Sequence, residues 1–257
     1  MTGATSTGTE AYRSEALKRG VVPEHFREVE GLQASSLGIG TYLGESDDAT
    51  DEHYRRALVE AVLAGANVID TAINYRCQRS ERTIALALAE LQNRGIDREQ
   101  LILCTKGGYL PFDSVPPPNA RAYFEKRFFE KGVLKPEDVV AGVHALTPGF
   151  LKDQVASSLE NMGLKTIDVY YLHNPETQLA AVGRKVFLER MREAFSSLEE
   201  LAGLGQIRFY GTATWSGYRS RARSRDWLSI EEIVSLAREA GGRITASGSS
   251  RPPAISR

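Results

Sequence analysis

Four side chains able to hold or pass a proton stand where apolar runs end. Val68 and Ile69 lead into the carboxylate of Asp70, and the phenol of Tyr75 follows within the stretch VIDTAINYRCQRSE. The run LILCTK ends in Lys106, and IDVYYLH ends in His173. Taken singly, each has an ordinary structural explanation: a turn acid, a wedge under a helix, a solvated strand end, a loop histidine. Four complementary groups at successive strand ends are a stronger signal, and a lysine directly after a buried strand is unusual unless paired. A free phenol ionises near pH ~10, too high for an efficient acid near neutrality. A neighbouring ammonium favours the phenolate and lowers that value. Asp70 supplies the counter-ion a buried lysine needs, and His173 can hydrogen-bond a substrate oxygen. The set reads as a tuned general acid beside a carbonyl, lacking only a source of hydride.

The elements that position these groups alternate. Residues 1–20 are small and polar and are expected to be disordered. HFREVEGLQASS predicts a hairpin about Gly31, and Ser36 to Gly44, SLGIGTYLG, a glycine-studded first strand. Tyr54, Ala57, Leu58, Ala61 and Val62 form the stripe of a helix over 50–65. A second strand spans 67–72, a helix about 80–93, and a third strand 101–105. After the long excursion 107–140, which holds a short aromatic-rich helix, Thr147 is expected to cap a helix beginning at Pro148. A fourth strand covers 166–172, a helix 184–204 and a fifth strand 206–213. Ser229 and Glu232 read as a capping box for a last helix striped by Ile230, Ile233, Val234 and Ala237. Strand and helix repeated five times argue for a parallel sheet with crossover helices, and in such folds chemistry sits at the carboxyl ends of strands. The first strand is followed by GIGTYLG rather than G-x-G-x-x-G, which weighs against a dinucleotide-binding doubly wound sheet.

The composition is that of an ordinary globular chain: 257 residues, 42% hydrophobic, 25% charged. A net charge of −1 gives no reason to expect nucleic acid or an anionic membrane as partner. The N-terminus has no apolar signal core, and no run approaches the ~20 residues of a membrane span. Cys77 and Cys104 make no disulfide framework; a cytoplasmic location with reduced thiols is expected, Cys104 in the core, and no metal site.

The pieces GIGTY at 38–42, IDTAINY at 69–75, LCTKGG at 103–108, DVYYLHNPE at 168–176 and IRFYGTATW at 207–215 resemble, in order and spacing, the aldo-keto reductase family. The resemblance runs from about residue 26 to 242. It implies a (β/α)8 barrel of the TIM type that binds NADP(H) and passes hydride to an aldehyde or ketone. It further implies that Tyr75 donates the proton, Lys106 lowers its pKa, Asp70 pairs with Lys106 and His173 orients the carbonyl. Gly40, Thr41, Tyr42, Asp70, Asn174 and Thr214 would hold the cofactor. Where many members carry Ser-Asn after the fifth strand this chain has Ala213-Thr214, with Thr212 or Trp215 as substitutes.

Only five of the eight strand–helix units are expected, within a partial barrel at 21–242. Residues 243–257 read as coil. The chain therefore looks like a truncated reductase, its catalytic half present and its cofactor grip mostly absent, with unpaired sheet edges open to self-association. Two other readings stand beside it: a non-enzymatic binding or regulatory module on the same barrel, and an open doubly wound sheet.

Overall fold

A computed structural model of the chain describes residues 3–241; the coil expected at 243–257 lies outside the described residues, as does Gly242. The N-terminal segment is not the disordered tail its composition suggested. Ser6–Lys18 is a helix, α1, capped by Thr5, whose hydroxyl accepts from the Gly8 N–H at 2.9 Å. Thr9, Tyr12 and Ala16 form its buried stripe. The Tyr12 O–H donates to the Val62 carbonyl at 2.5 Å, and the Ala4 N–H donates to Asp168 at 2.6 Å. A stripe of one large and two small residues is weak as a sequence pattern, so long-range bonds supply what it lacks.

Phe26–Val29 (β1) and Leu32–Ser35 (β2) form the expected antiparallel hairpin. Glu30 and Gly31 between them both take positive φ, 51° and 75°, as a two-residue turn of this twist requires. The main sheet has five strands in chain order: Gly38–Gly40 (β3), Val68–Asp70 (β4), Ile102–Gly107 (β5), Ile167–His173 (β6) and Ile207–Ala213 (β7). β3 and β5 flank β4 in parallel. This is the expected α/β class, and among the described residues the order runs from β3 to β7 without closing into a barrel. The first strand is shorter than expected, with Leu37, Tyr42 and Leu43 around it exposed.

The helices follow the sequence pattern with local departures. Asp48–Leu63 (α2) starts earlier than its stripe implies because Asp47 caps it, accepting from the Thr50 N–H at 2.7 Å; Leu58, Val59 and Val62 are buried, and Ala57 is not. Arg79–Asn93 (α3) buries Ile84, Leu88 and Leu91 as predicted. Ala120–Phe124 (α4) runs on into a wider turn through Phe129. Thr147 does not cap Pro148–Met162 (α5) with its side chain: the hydroxyl is buried without a partner, and its carbonyl accepts from Leu151 instead. Arg184–Gly203 (α6) is followed by Ile230–Gly241 (α7). Ser229 accepts from the Glu232 N–H at 3.3 Å, but the Glu232 carboxylate turns to Arg184, so half the capping box is made. Ile233, Leu236 and Ala237 are buried on α7, whereas Ile230 is exposed.

The described chain forms two compact units, residues 3–105, 111–116 and 157–168 in one, 106–110, 117–156 and 169–241 in the other. The first has a core that includes Leu58, Val62, Ile69, Ile84, Leu91 and Leu101. Its polar pin is Asp168, wholly buried, which accepts from Ala4 N–H, from Arg98 at 2.6 Å and from Leu103 N–H at 2.8 Å. In the second, α6 buries Phe187, Met191, Phe195 and Leu198, with the Phe195 ring 5.7 Å from that of Tyr210.

Candidate active site

In the first unit, β4 delivers Asp70 to its carboxyl end, paired in register with Gly40 on one side and Cys104 on the other. The Thr41 N–H donates to the Asp70 carbonyl at 3.2 Å, and its hydroxyl donates to that of Thr71 at 2.8 Å. Thr41 is fully buried, so its side chain is bound into the fold. Gly40 faces open space: a Cβ there would meet nothing within 4 Å. Tyr42 is exposed, its ring edge-on to that of Tyr75 with centroids 4.9 Å apart. Tyr75 closes a turn, its N–H donating to the Ala72 carbonyl at 3.0 Å.

The backbone behind Tyr75 is strained. Arg76, Cys77 and Gln78 all take left-handed φ, 48°, 57° and 68°, without a glycine among them. Such conformations cost about 1–2 kcal/mol per residue. They persist because side chains and backbone are tied down. Gln78 donates to the Phe112 carbonyl at 2.9 Å and accepts from Asn161 at 3.1 Å. The Cys77 carbonyl accepts from the Ser114 N–H at 2.9 Å. Arg76 is ion-paired with Asp51, and its guanidinium lies 5.0 Å from the Tyr54 ring centroid. The turn that carries the phenol is thereby held from several sides, and nothing in the local sequence marks it.

β5 carries the next group. Its Thr105 hydroxyl donates at 2.7 Å to Glu81, a wholly buried carboxyl on α3 that also accepts from Asn161 at 2.9 Å. Burial pushes the Glu81 pKa up, against these hydrogen bonds. Lys106 follows, 6% exposed.

In the second unit, His173 ends β6 and is 8% exposed. Burial, with the nearby charges of Lys106 and His144, pushes its pKa down to about 3, so the ring is neutral near pH 7. The Tyr109 ring stands edge-on to both His173 and His144, at 5.0 and 4.9 Å. His144, fully buried, is bonded through Nε2 to the His173 carbonyl at 2.8 Å and through Nδ1 to Gln178 Nε2 at 2.8 Å. Gln178 in turn accepts from Arg190 at 2.5 Å. Because the Gln178 amide donates, Nδ1 must accept and Nε2 must carry the proton. Gly108 makes room for this: at φ 139°, a Cβ would lie 2.8 Å from His144 Nε2 and 3.1 Å from the His173 carbonyl.

Asn174, at φ 45°, donates its N–H to the Ala213 carbonyl at 2.7 Å and its side-chain amide to the Tyr109 hydroxyl at 3.3 Å. On β7, the Thr212 hydroxyl is bonded to the Tyr218 phenol at 2.5 Å, and beyond the strand Trp215 is 75% exposed. Thr212 is thus engaged within the fold. The N–H groups of Trp215, Ser216 and Gly217 converge on one oxygen of buried Glu176, at 2.9, 3.1 and 3.3 Å, a backbone nest filled by an internal carboxylate. Thr214 has no hydrogen-bond partner among the described residues.

The first unit thus gathers Gly40, Thr41, Tyr42, Asp70 and Tyr75, and the second holds Lys106, His173, Asn174 and Thr214. Tyr109, His144, Gln178 and Arg190 escaped the sequence reading. They lie in irregular segments or on a polar helix face, and only a histidine within the apolar stretch VHAL hinted at them. No helix among the described residues is long and apolar enough to cross a membrane.

The family model for the aldo/keto reductase family matches residues 36–226. Among solved structures, the chain is similar to the holo form of aldo-keto reductase AKR11C1 from Bacillus halodurans, 26% identical with a TM-score of 0.51, covering 74% of this chain and 50% of that one. It also shares the fold of the glycerol dehydrogenase AKR11B4 from Gluconobacter oxydans, 22% identical, TM-score 0.52, covering 85% and 53%. A Schizosaccharomyces pombe protein provisionally named as a voltage-gated potassium channel subunit beta is 25% identical over 198 residues, 77% of this chain and 46% of that protein. The chain spans about half the length of the relatives it matches.

Proposed function

The chain belongs to the aldo/keto reductase family, a family of carbonyl oxidoreductases, and from that membership we propose that it reduces an aldehyde or ketone to an alcohol with NADP(H) as cofactor. The observation that carries the proposal is that the family match spans Asp70, Tyr75, Lys106 and His173, each at the carboxyl end of a parallel strand or in the turn after it. Tyr75 is the general acid. Lys106 is the ammonium that favours its ionised form, and Asp70 is that ammonium's counter-ion. His173, neutral near pH 7, donates a hydrogen bond to the carbonyl oxygen rather than a proton. Its ring is kept in place by Tyr109, and its backbone by His144.

The residues present fit the nicotinamide end of the cofactor. Gly40 leaves open space beside the strand end, and Asn174 Oδ1 and the Thr214 hydroxyl are without hydrogen-bond partners among the described residues. Tyr42 adds an exposed ring, and Thr41, its hydroxyl engaged, contributes backbone only. When bound, the cofactor supplies the hydride that reduces the carbonyl carbon. None of these groups is a cation for a pyrophosphate or 2′-phosphate, so weak NADPH affinity is expected in a fluorescence titration.

The test is loss of reduced-nicotinamide absorbance with 4-nitrobenzaldehyde as substrate. Tyr75→Phe should lower turnover by about 10²-fold or more, the usual contribution of a positioned acid. Equal rates for the two proteins would remove Tyr75 from the chemistry. The similarity to a channel subunit supports a second reading, a non-enzymatic regulatory module. NADPH binding without any turnover would favour that reading.

A further inference from the structure

We propose that a cleft in the second unit, between the segment after β6 and the segment after β7, is a binding site for a small phosphate monoester. The cleft is a cavity of about 530 Å³ lined by Gly183, Arg184, Arg223, Arg225 and Trp227, with apolar walls from Leu179 and Val182. Three arginines line it and no acidic residue does. Like charges gathered around one cleft raise its positive potential and favour an anion that joins them.

The three arginines are not equivalent. Arg184 is already compensated: it pairs with Glu232, donates to the Trp227 carbonyl at 3.0 Å, and lies 5.2 Å from the Trp227 ring centroid. Arg225 donates only to neutral acceptors, the carbonyls of Leu179, at 3.1 Å, and Ala180. Its head is oriented while its charge stays uncompensated. Arg223 has no hydrogen-bond or ion-pair partner among the described residues. Two carboxylates on these segments have partners of their own: Glu232 pairs with Arg184, and Asp226 accepts from the hydroxyls of Ser216, Ser220 and Ser224 at 3.0, 2.6 and 3.0 Å.

A second feature of the same cleft has the same sign. The 20-residue helix α6 begins there with Gly183 at its N-cap, which brings no capping side chain. The first-turn N–H groups are therefore available to an anion, and the helix dipole favours one. A forked guanidinium beside free backbone amides suits a phosphate dianion. The cavity exceeds a bare phosphate, and Trp227, Leu179 and Val182 offer contact to a small organic body, so the ligand class is a phosphate monoester rather than the inorganic ion. The site is separate from the carbonyl chemistry proposed above, and Tyr75→Phe should leave it intact.

The experiment titrates the full chain with ribose 5-phosphate, NADPH and inorganic phosphate at constant ionic strength, following tryptophan fluorescence in a Trp215→Phe background so that Trp227 alone reports. Saturable binding is expected, tightest for an organic phosphate. It should strengthen as pH rises through about 6, where the phosphate gains its second charge. Arg223→Gln should weaken it by about tenfold and Arg223→Glu further, as loss of a charge-assisted hydrogen bond implies. Arg223 is exposed and unbonded, so unchanged melting of these variants shows that they fold. Whichever of ribose 5-phosphate and NADPH binds tighter through Arg223 identifies the carrier of the phosphate. Absence of saturation, or affinity unchanged in Arg223→Glu, would overturn the proposal.

Discussion

Replacing His144 with glutamine should make the protein less stable than the parent at pH 7 and more stable at pH 4. His144 is fully buried, and burial pushes its pKa down to about 4, against the bond to the His173 carbonyl, which works the other way. His173 is pushed down to about 3. The unfolded chain takes up these protons near pH 6.5, so through the interval below 6.5 the unfolded state binds more protons than the folded one. The stability these depressed values represent is whole above pH 6.5 and is lost as pH falls through the folded pKa. The interval from 6.5 to about 4 is worth about 3 kcal/mol for His144. The longer interval for His173 is worth about 5 kcal/mol, complete near pH 3. Against a typical total of about 5–15 kcal/mol, the pair alone brings the fold close to acid unfolding. Glutamine at 144 can still donate to the His173 carbonyl and accept from Gln178. Its cost at pH 7 is about 1 kcal/mol, for poorer hydrogen-bond geometry. It cannot titrate, so its stability should fall about 3 kcal/mol less between pH 6.5 and 4, and the two curves should cross. Urea unfolding followed by tryptophan fluorescence at stepped pH measures both. Parallel curves would refute the reasoning, because they would mean that His144 protonates as readily in the folded chain as in the unfolded one.

Other substitutions test separate parts of the structure. Asp168→Asn leaves Arg98, whose side chain is 3% exposed, as a buried charge without its carboxylate; a loss of about 3–5 kcal/mol is expected in urea midpoints, and a loss under about 1 kcal/mol would show the pin to be dispensable. Gly108→Ala must place a Cβ against His144 and the His173 carbonyl at a φ of 139°; a loss of about 1–3 kcal/mol is expected, with carbonyl reduction falling more than NADPH binding if His173 is displaced. Tyr12→Phe removes a buried O–H from the Val62 carbonyl, and thermal melting should register about 1–2 kcal/mol.

Strand ends were the legible part of this molecule. Asp70, Lys106 and His173 could be picked out because buried parallel strands read as continuous apolar runs, and a polar residue closing such a run is conspicuous. The Glu30-Gly31 hairpin was readable for a similarly local reason. What escaped the reading depends on partners far away in the chain. α1 lacks a strong stripe and is docked by Tyr12 on Val62 and Ala4 on Asp168. Thr147 has the right residue type and neighbour for a cap, yet its side chain makes no such bond. The left-handed run 76–78 carries no glycine to announce it, since its support comes from residues 51, 112, 114 and 161. The His144 to Arg190 chain of hydrogen bonds draws on an irregular segment, a short turn after β6 and a surface helix, so no periodicity could reveal it.

The bond from Ala4 to Asp168 also bears on how the polypeptide acquires its shape during synthesis. Ala4 is made well before its acceptor, because the oxygen it needs belongs to a residue 164 positions later. Thr5 and Gly8 find their neighbour sooner, at Glu99. On a ribosome adding about 5–20 residues per second, Ala4 therefore waits on the order of ten seconds or more for its anchor. In that interval a nascent chain offers α1 and its unfinished docking surface to whatever else is at hand.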